Sequence, residues 1–179
     1  EDKHKDVFLN LEIKSTLTQE NVTPNPEKMV SLILKDIKEY DLENRTLITS
    51  YDWRILYELK KQNSNILRGF ITLQQDLPTT KKNVYENSPW MVKNYPMEEL
   101  FLLPNIIKSI EGHVWSVFYR DVTKQNVELA HKHGLATCVW TVNREKDIIR
   151  MIEYGVDGII TDYPKKVQEI CKSKNISWF

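Results

Sequence analysis

A chain of 179 residues, 41% of them hydrophobic, is long enough to bury one sizeable core and too short for two ordinary domains. Its 25 Lys and Arg balance its 25 Asp and Glu, so it lacks the basic surplus of a polyanion binder, and neither nucleic acid nor anionic lipid is an expected partner. No apolar run reaches the roughly 18 residues of a membrane span, so no stable membrane insertion is expected, and the two cysteines, Cys138 and Cys171, read as free thiols.

Strand-like runs alternate with amphipathic helical patterns, which predicts an α/β fold with parallel strands. Val7 to Lys14 is the first strand, with Val7, Leu9, Leu11 and Ile13 on one face and Phe8, Asn10, Glu12 and Lys14 on the other. Asn25-Pro26-Glu27 has the form of a helix start, followed by Met29, Val30, Ile33, Leu34 and Ile37 at helical spacing. A second strand at Leu47 to Asp52 leads into a helix carrying Ile55, Leu56 and Leu59, and Ile66 to Leu73 is a third.

Residues 74–98 are polar and turn-rich but hold Trp90 and Tyr95, which predicts a long ordered loop with aromatic anchors. Beyond it come a helix from Glu99 to Ile110 interrupted at Pro104, a strand from Val114 to Tyr119, and a helix with Val127 and Ala130 ended by Gly134. Ala136 to Val142 and Val156 to Asp162 are the last two strands. A helix from Asp147 to Tyr154, stopped by Gly155, lies between them, and a helix through Val167 and Ile170 closes the chain.

Parallel strands covered on both faces should be apolar throughout, yet these turn polar at their C-terminal ends: Glu12 and Lys14, Ser50 and Asp52, Trp140, Thr141 and Asn143, Thr161 and Asp162. That gathering marks the site face of a (β/α)-barrel, although a doubly wound sheet also binds at its strand C-termini. Glu12 and Lys14 are two apart, hence side by side on one strand face. Either they neutralise each other, or Glu12 takes a divalent metal while Lys14 faces a substrate phosphate. Trp140 is either a core filler or a pocket wall. Asp52 and Asp162 read as helix N-caps.

The run Leu9-Asn10-Leu11-Glu12-Ile13-Lys14-Ser15 resembles the strand motif of glycerophosphodiester phosphodiesterases, and Ser50-Tyr51-Asp52-Trp53 resembles the family's Ser-Phe-Asp strand end. Trp140-Thr141-Val142-Asn143 and Gly155 to Pro164 are similar to its last two motifs. Trp115-Ser116 through Thr123 is similar to a run of one bacterial and fungal branch, with Val117 where that branch has proline. The resemblance implies a (β/α)8 TIM-type barrel and metal-assisted hydrolysis of a glycerophosphodiester to an alcohol and glycerol 3-phosphate, with two histidines as base and acid. It implies Glu12 as ligand of a divalent ion (Mg2+ or Ca2+), Lys14 as the catalytic, phosphate-facing residue, and Trp140 beside Lys14 as substrate-binding.

The family's His-Arg-Gly, Glu-x-Asp and His-Asp strands precede the Glu-x-Lys strand, and none is in this sequence. Residues 1–179 are therefore expected to be the C-terminal portion of one barrel domain, short of three N-terminal strand–helix units and with a loop insertion near 74–98. Such a chain, inactive by itself, should pair with the remainder of the protein or with a second copy. His4, His113, His131 and His133 are expected to be ordinary surface or helix-end residues. Two other readings are a non-catalytic partial barrel that binds a phosphoester or a partner protein, and a relative of the phosphoinositide-specific phospholipases.

Overall fold

The computed structural model describes residues 7–17 and 22–177; His4 lies outside them. Strands β1 (Leu9–Ile13), β2 (Thr46–Ser50), β3 (Leu67–Thr72), β4 (Val114–Phe118), β5 (Ala136–Trp140) and β6 (Gly158–Ile159) form one sheet in that order, each neighbouring pair parallel. Between or after them come helices α1 (Pro26–Glu39), α2 (Trp53–Gln62), α3 (Met97–Leu100), α4 (Leu103–Ser109), α5 (Lys124–Lys132), α6 (Glu145–Tyr154) and α7 (Pro164–Ser173). None of the described helices is long and apolar enough to cross a membrane.

Strand order decides between the two architectures that the pattern of polar strand ends leaves open. A doubly wound sheet reverses its order at a switch point. Here the order follows the chain throughout, and right-handed crossovers then put every connecting helix on one face. That is the wiring of a (β/α)-barrel, present here in part. An eight-stranded barrel lacking three units would keep five strands, whereas six are described, so the expected deficit of three units does not fit. Motifs need not fall one to a strand–helix unit, and counting them overstates the gap.

Register separates the two faces of the sheet. The row Ile13, Ser50, Phe70, Trp115 and Thr137 is continuous across five strands, and all five residues are buried. This face carries the helices: Trp53 of α2 meets Phe70 edge-on at 5.1 Å between ring centroids and donates from Nε1 to Ile71 O at 3.1 Å. The adjoining row, Glu12, Thr49, Gly69, Val114 and Ala136, points to the opposite, helix-free face because side chains alternate along a strand.

Most boundaries follow local chemistry. The Asn25 side chain accepts from Lys28 N, with Pro26 in the first turn of α1, and Gly155 ends α6 at φ 79°. The interruption expected at Pro104 falls at Phe101 and Leu102 instead. Pro104 sits in the first turn of α4, where a missing N–H costs nothing. The last strand is shorter than the predicted span from Val156 to Asp162. Its ladder with β5 covers Cys138–Gly158 and Val139–Ile159, and the chain beyond turns toward Asn143. Asp162 is not a cap, since Tyr163 holds that position in α7 and no side chain caps the helix.

The long loop after β3 is tied down. Asn83, fully buried, accepts from Leu73 N at 2.8 Å and donates to Tyr51 O at 2.9 Å and Ile71 O at 2.8 Å. Trp90 O accepts from Trp53 N at 2.9 Å, the Trp90 ring stands edge-on to Tyr51, and the Tyr51 hydroxyl donates to Lys81 O.

Candidate functional site

Glu12 pairs with Thr49 near the C-terminal end of β1. Lys14 follows two residues on, and its Nζ lies 3.7 Å from Glu12 Oε1, as expected for neighbours on one strand face. They do not sit in a restricted cavity, as an inward face had suggested. Glu12 is 44% exposed and Lys14 81%, because β1 has β2 on one side and no second described strand on the other. The mutual neutralisation seen in the pair is therefore an exposed, water-screened contact.

Trp140 ends β5, and alternation along Ala136, Cys138 and Trp140 puts it on the helix-free face with Glu12. Strand ends climb across the sheet. In an eight-stranded barrel the stagger is about one residue per strand, so four strands along, Trp140 rather than Ala136 comes level with Glu12. The indole is half-buried, donates from Nε1 to Ser116 O at 3.1 Å and packs on Phe118 at 5.3 Å between centroids. Cys138, one step below, is a free cysteine whose thiol is pushed up to about 11 by burial and by Asp157. Cys171 is free and buried.

Past Trp140 the chain is locked to the end of β6. Asn143 Oδ1 accepts from Thr161 Oγ1 and from Asp162 N, each at 3.0 Å, while Asn143 Nδ2 donates to Asp162 Oδ2 at 2.7 Å. Lys166 reaches back from α7 to Asn143 O at 3.1 Å. Asn143, Thr161 and Asp162 thus join two strand ends.

Asp52 does cap α2, accepting from Arg54 N at 3.1 Å. It does more than a cap requires: its Oδ2 also takes Ser15 Oγ at 2.6 Å, across to the residue after Lys14. Sequence spacing gives no sign of that bond, which forms between elements 37 residues apart.

The described histidines stand elsewhere. His113 precedes β4 and accepts on Nδ1 from Arg68 N at 3.1 Å. His131 and His133, at the C-terminal end of α5, contact Asp157 Oδ2 at 2.8 Å and Asn105 Oδ1 at 2.7 Å. All three lie at the end of the sheet where β4 and β5 begin, opposite Lys14 and Trp140.

A hard divalent ion takes six or more oxygen ligands. Glu12 fits as one such ligand, since its carboxylate is accessible and has Lys14 as a loose partner. Among the described residues no group of three or more His, Cys, Asp and Glu could hold a metal ion. A groove of about 670 Å³ elsewhere, lined by Val156, Ile159, Val167, Cys171 and Ile176, runs beside β6 and α7 and does not include Glu12, Lys14 or Trp140.

The family model described as the glycerophosphoryl diester phosphodiesterase family matches residues 2–166. A glycerophosphodiester phosphodiesterase of Caldanaerobacter subterraneus subsp. tengcongensis is 31% identical over 161 residues, covering 90% of this chain and 54% of that protein. The chain therefore spans about half the length of this relative. A crystal structure from Silicibacter pomeroyi DSS-3, assigned by name to the glycerophosphoryl diester phosphodiesterases, superposes with a TM-score of 0.76 at 32% identity, covering 96% of this chain and 52% of that one. An Oleispira antarctica phosphodiesterase in complex with the product sn-glycerol-3-phosphate shares the fold, with a TM-score of 0.66 at 19% identity, covering 92% of this chain and 55% of that one.

Proposed function

This chain belongs to the glycerophosphoryl diester phosphodiesterase family, and on that premise we propose that it supplies one metal ligand, a phosphate-facing lysine and a pocket wall for the hydrolysis of a glycerophosphodiester to an alcohol and glycerol 3-phosphate. The observation that carries the reading is the common face. Glu12, Lys14 and Trp140 project from the helix-free side of the sheet, toward its C-terminal ends.

In this reading Lys14 offers its ammonium to the non-bridging phosphoryl oxygens, where negative charge grows as water attacks phosphorus and the bond to the alcohol oxygen breaks. Its high exposure leaves it free to exchange Glu12 for a phosphate. Trp140 presents an apolar ring, fixed by Ser116 and Phe118, to the glycerol or alcohol moiety. Glu12 would hold a Mg2+ or Ca2+ ion, which when bound supplies charge stabilisation at the phosphoryl oxygens. The acid and base are assigned to the histidine motifs that the family resemblance implies, because His113, His131 and His133 lie at the other end of the strands. The reading also places further strands of the barrel, or a second copy, against the sheet edge where Val7, Phe8, Leu9 and Leu11 are exposed.

The test uses the longest form that the protein's coding sequence specifies, with glycerophosphocholine as substrate and added Mg2+ or Ca2+. Glu12→Gln should weaken the metal dependence and lower the rate together, since an amide loses the charge that holds a hard cation. An unchanged metal dependence would make Glu12 structural and remove the basis of the reading.

A further inference from the structure

The end of β1 is held by more than its ladder. Ser50, fully buried, donates from Oγ to Ile13 O at 2.8 Å, and the same oxygen accepts from Asp52 N at 3.0 Å. Asp52 accepts from Ser15 Oγ at 2.6 Å. Arg54 closes on the other side of the carboxylate, with Nε at 2.8 Å from Oδ1 and Nη2 at 2.7 Å from Oδ2. Lys14 therefore lies between two tethered residues, Ile13 by its carbonyl and Ser15 by its hydroxyl.

Capping α2 does not call for this arrangement. A neutral Ser, Thr or Asn caps as well, and a carboxylate 1% exposed costs solvation that a cap bond alone does not offset and that here needs the bidentate arginine as well. What the charge adds is a short, charge-assisted bond to Ser15, in the segment that leaves β1. Lys14, so exposed, takes its position from the backbone that carries it. Strand ends at a sheet edge fray easily, and both tethers oppose fraying at the residues beside Lys14.

The geometry points to Ser50 and Asp52, backed by Arg54, as positioning residues that hold the strand end bearing Lys14 at a fixed place on the helix-free face. They touch no substrate and act through the backbone of residues 13–15. The inference rests on the phosphate-facing reading of Lys14 given above.

Amide hydrogen exchange and steady-state hydrolysis of glycerophosphocholine are measured in the longest encoded form carrying Ser15→Ala, Ser15→Thr, Asp52→Asn or Lys14→Ala. Ser15→Ala should speed exchange at residues 13–15 while β3 to β5 stay protected. It should also lower kcat about tenfold with KM within about twofold, a modest case of the rate loss that misplacement causes. Ser15→Thr, which keeps the hydroxyl, should restore both. Asp52→Asn should match or exceed Ser15→Ala, and if it fails to fold the Ser15 pair carries the test. Lys14→Ala separates the two claims. If it leaves kcat unchanged, the phosphate reading falls and the tether has nothing to position. If Lys14→Ala abolishes turnover while Ser15→Ala alters neither exchange nor kcat, or exchange alone, the positioning role is overturned by itself.

Discussion

Glu12 and Trp140 stand on strands four apart in the sheet, yet both project from its helix-free face. In a closed eight-stranded barrel that separation would make them opposite walls of one mouth. Trp140→Ala should then raise KM severalfold and cost about 2–3 kcal/mol of stability, below the range for a fully buried tryptophan because the ring is half-exposed. Trp140→Phe keeps the apolar ring and loses the bond to Ser116 O, a cost of about 1 kcal/mol. Urea titration and substrate saturation curves on both variants check the ordering.

The Glu12–Lys14 pair should matter little to folding. At 3.7 Å, with side chains 44% and 81% exposed, it falls in the class of surface pairs that contribute about 0–1 kcal/mol. Lys14→Ala and Glu12→Gln should leave the denaturation midpoint almost unchanged while activity drops. Loss of stability comparable to a core truncation would mean that the two residues are part of the scaffold.

Much of this could be read from the amino-acid order, and the limits of that reading are physical. Alternation, caps and helix-stop glycines located all six strands and most of the helices, though one interrupted helix was expected where α3 and α4 stand; those signals are local, as Asn25 caps and Gly155 turns within a few residues of what they terminate. Strand alternation put Glu12 and Lys14 side by side, and they stand 3.7 Å apart. Strand lengths were less legible, since a ladder extends only as far as its partner allows, and β6 pairs over two residues where the span from Val156 to Asp162 suggested seven. Long-range side-chain bonds were invisible: Ser15 to Asp52 and Asn143 to Asp162 join segments whose proximity exists only after the sheet forms.

Gly112 marks a close approach between α4 and the sheet. A Cβ there would collide with Ile107 Cγ2 and come within 2.9 Å of Phe70 Cε2 and 3.0 Å of Ile107 O. Gly112→Ala should destabilise by about 1–3 kcal/mol through overpacking. Gly134 is the control, with φ at 69° and open space around the missing Cβ. Gly134→Ala should cost only the left-handed conformation, about 1–2 kcal/mol. Equal thermal unfolding of wild type and Gly112→Ala would show that α4 shifts freely on the sheet.

His113 should make the fold acid-sensitive. Burial, then the charges of Arg68 and Lys108, hold its imidazole below the ordinary value of 6.5, against a smaller opposing pull from Glu111. Its Nδ1 is the acceptor for Arg68 N, so a proton there would replace an acceptor with a donor. Because the folded state resists protonation, the neutral ring's contribution is complete above the unfolded pKa. It is lost as pH falls below about 6.5, where the unfolded chain binds the proton first, and the loss ends once pH has passed the folded value. The unfolding free energy should therefore decline as pH falls through the unfolded value of about 6.5 and toward the lower folded one. His113→Asn puts an uncharged oxygen acceptor in place of Nδ1 and should flatten that decline. Urea titrations of both proteins across this range decide the matter: parallel pH profiles would show that other groups carry the acid sensitivity.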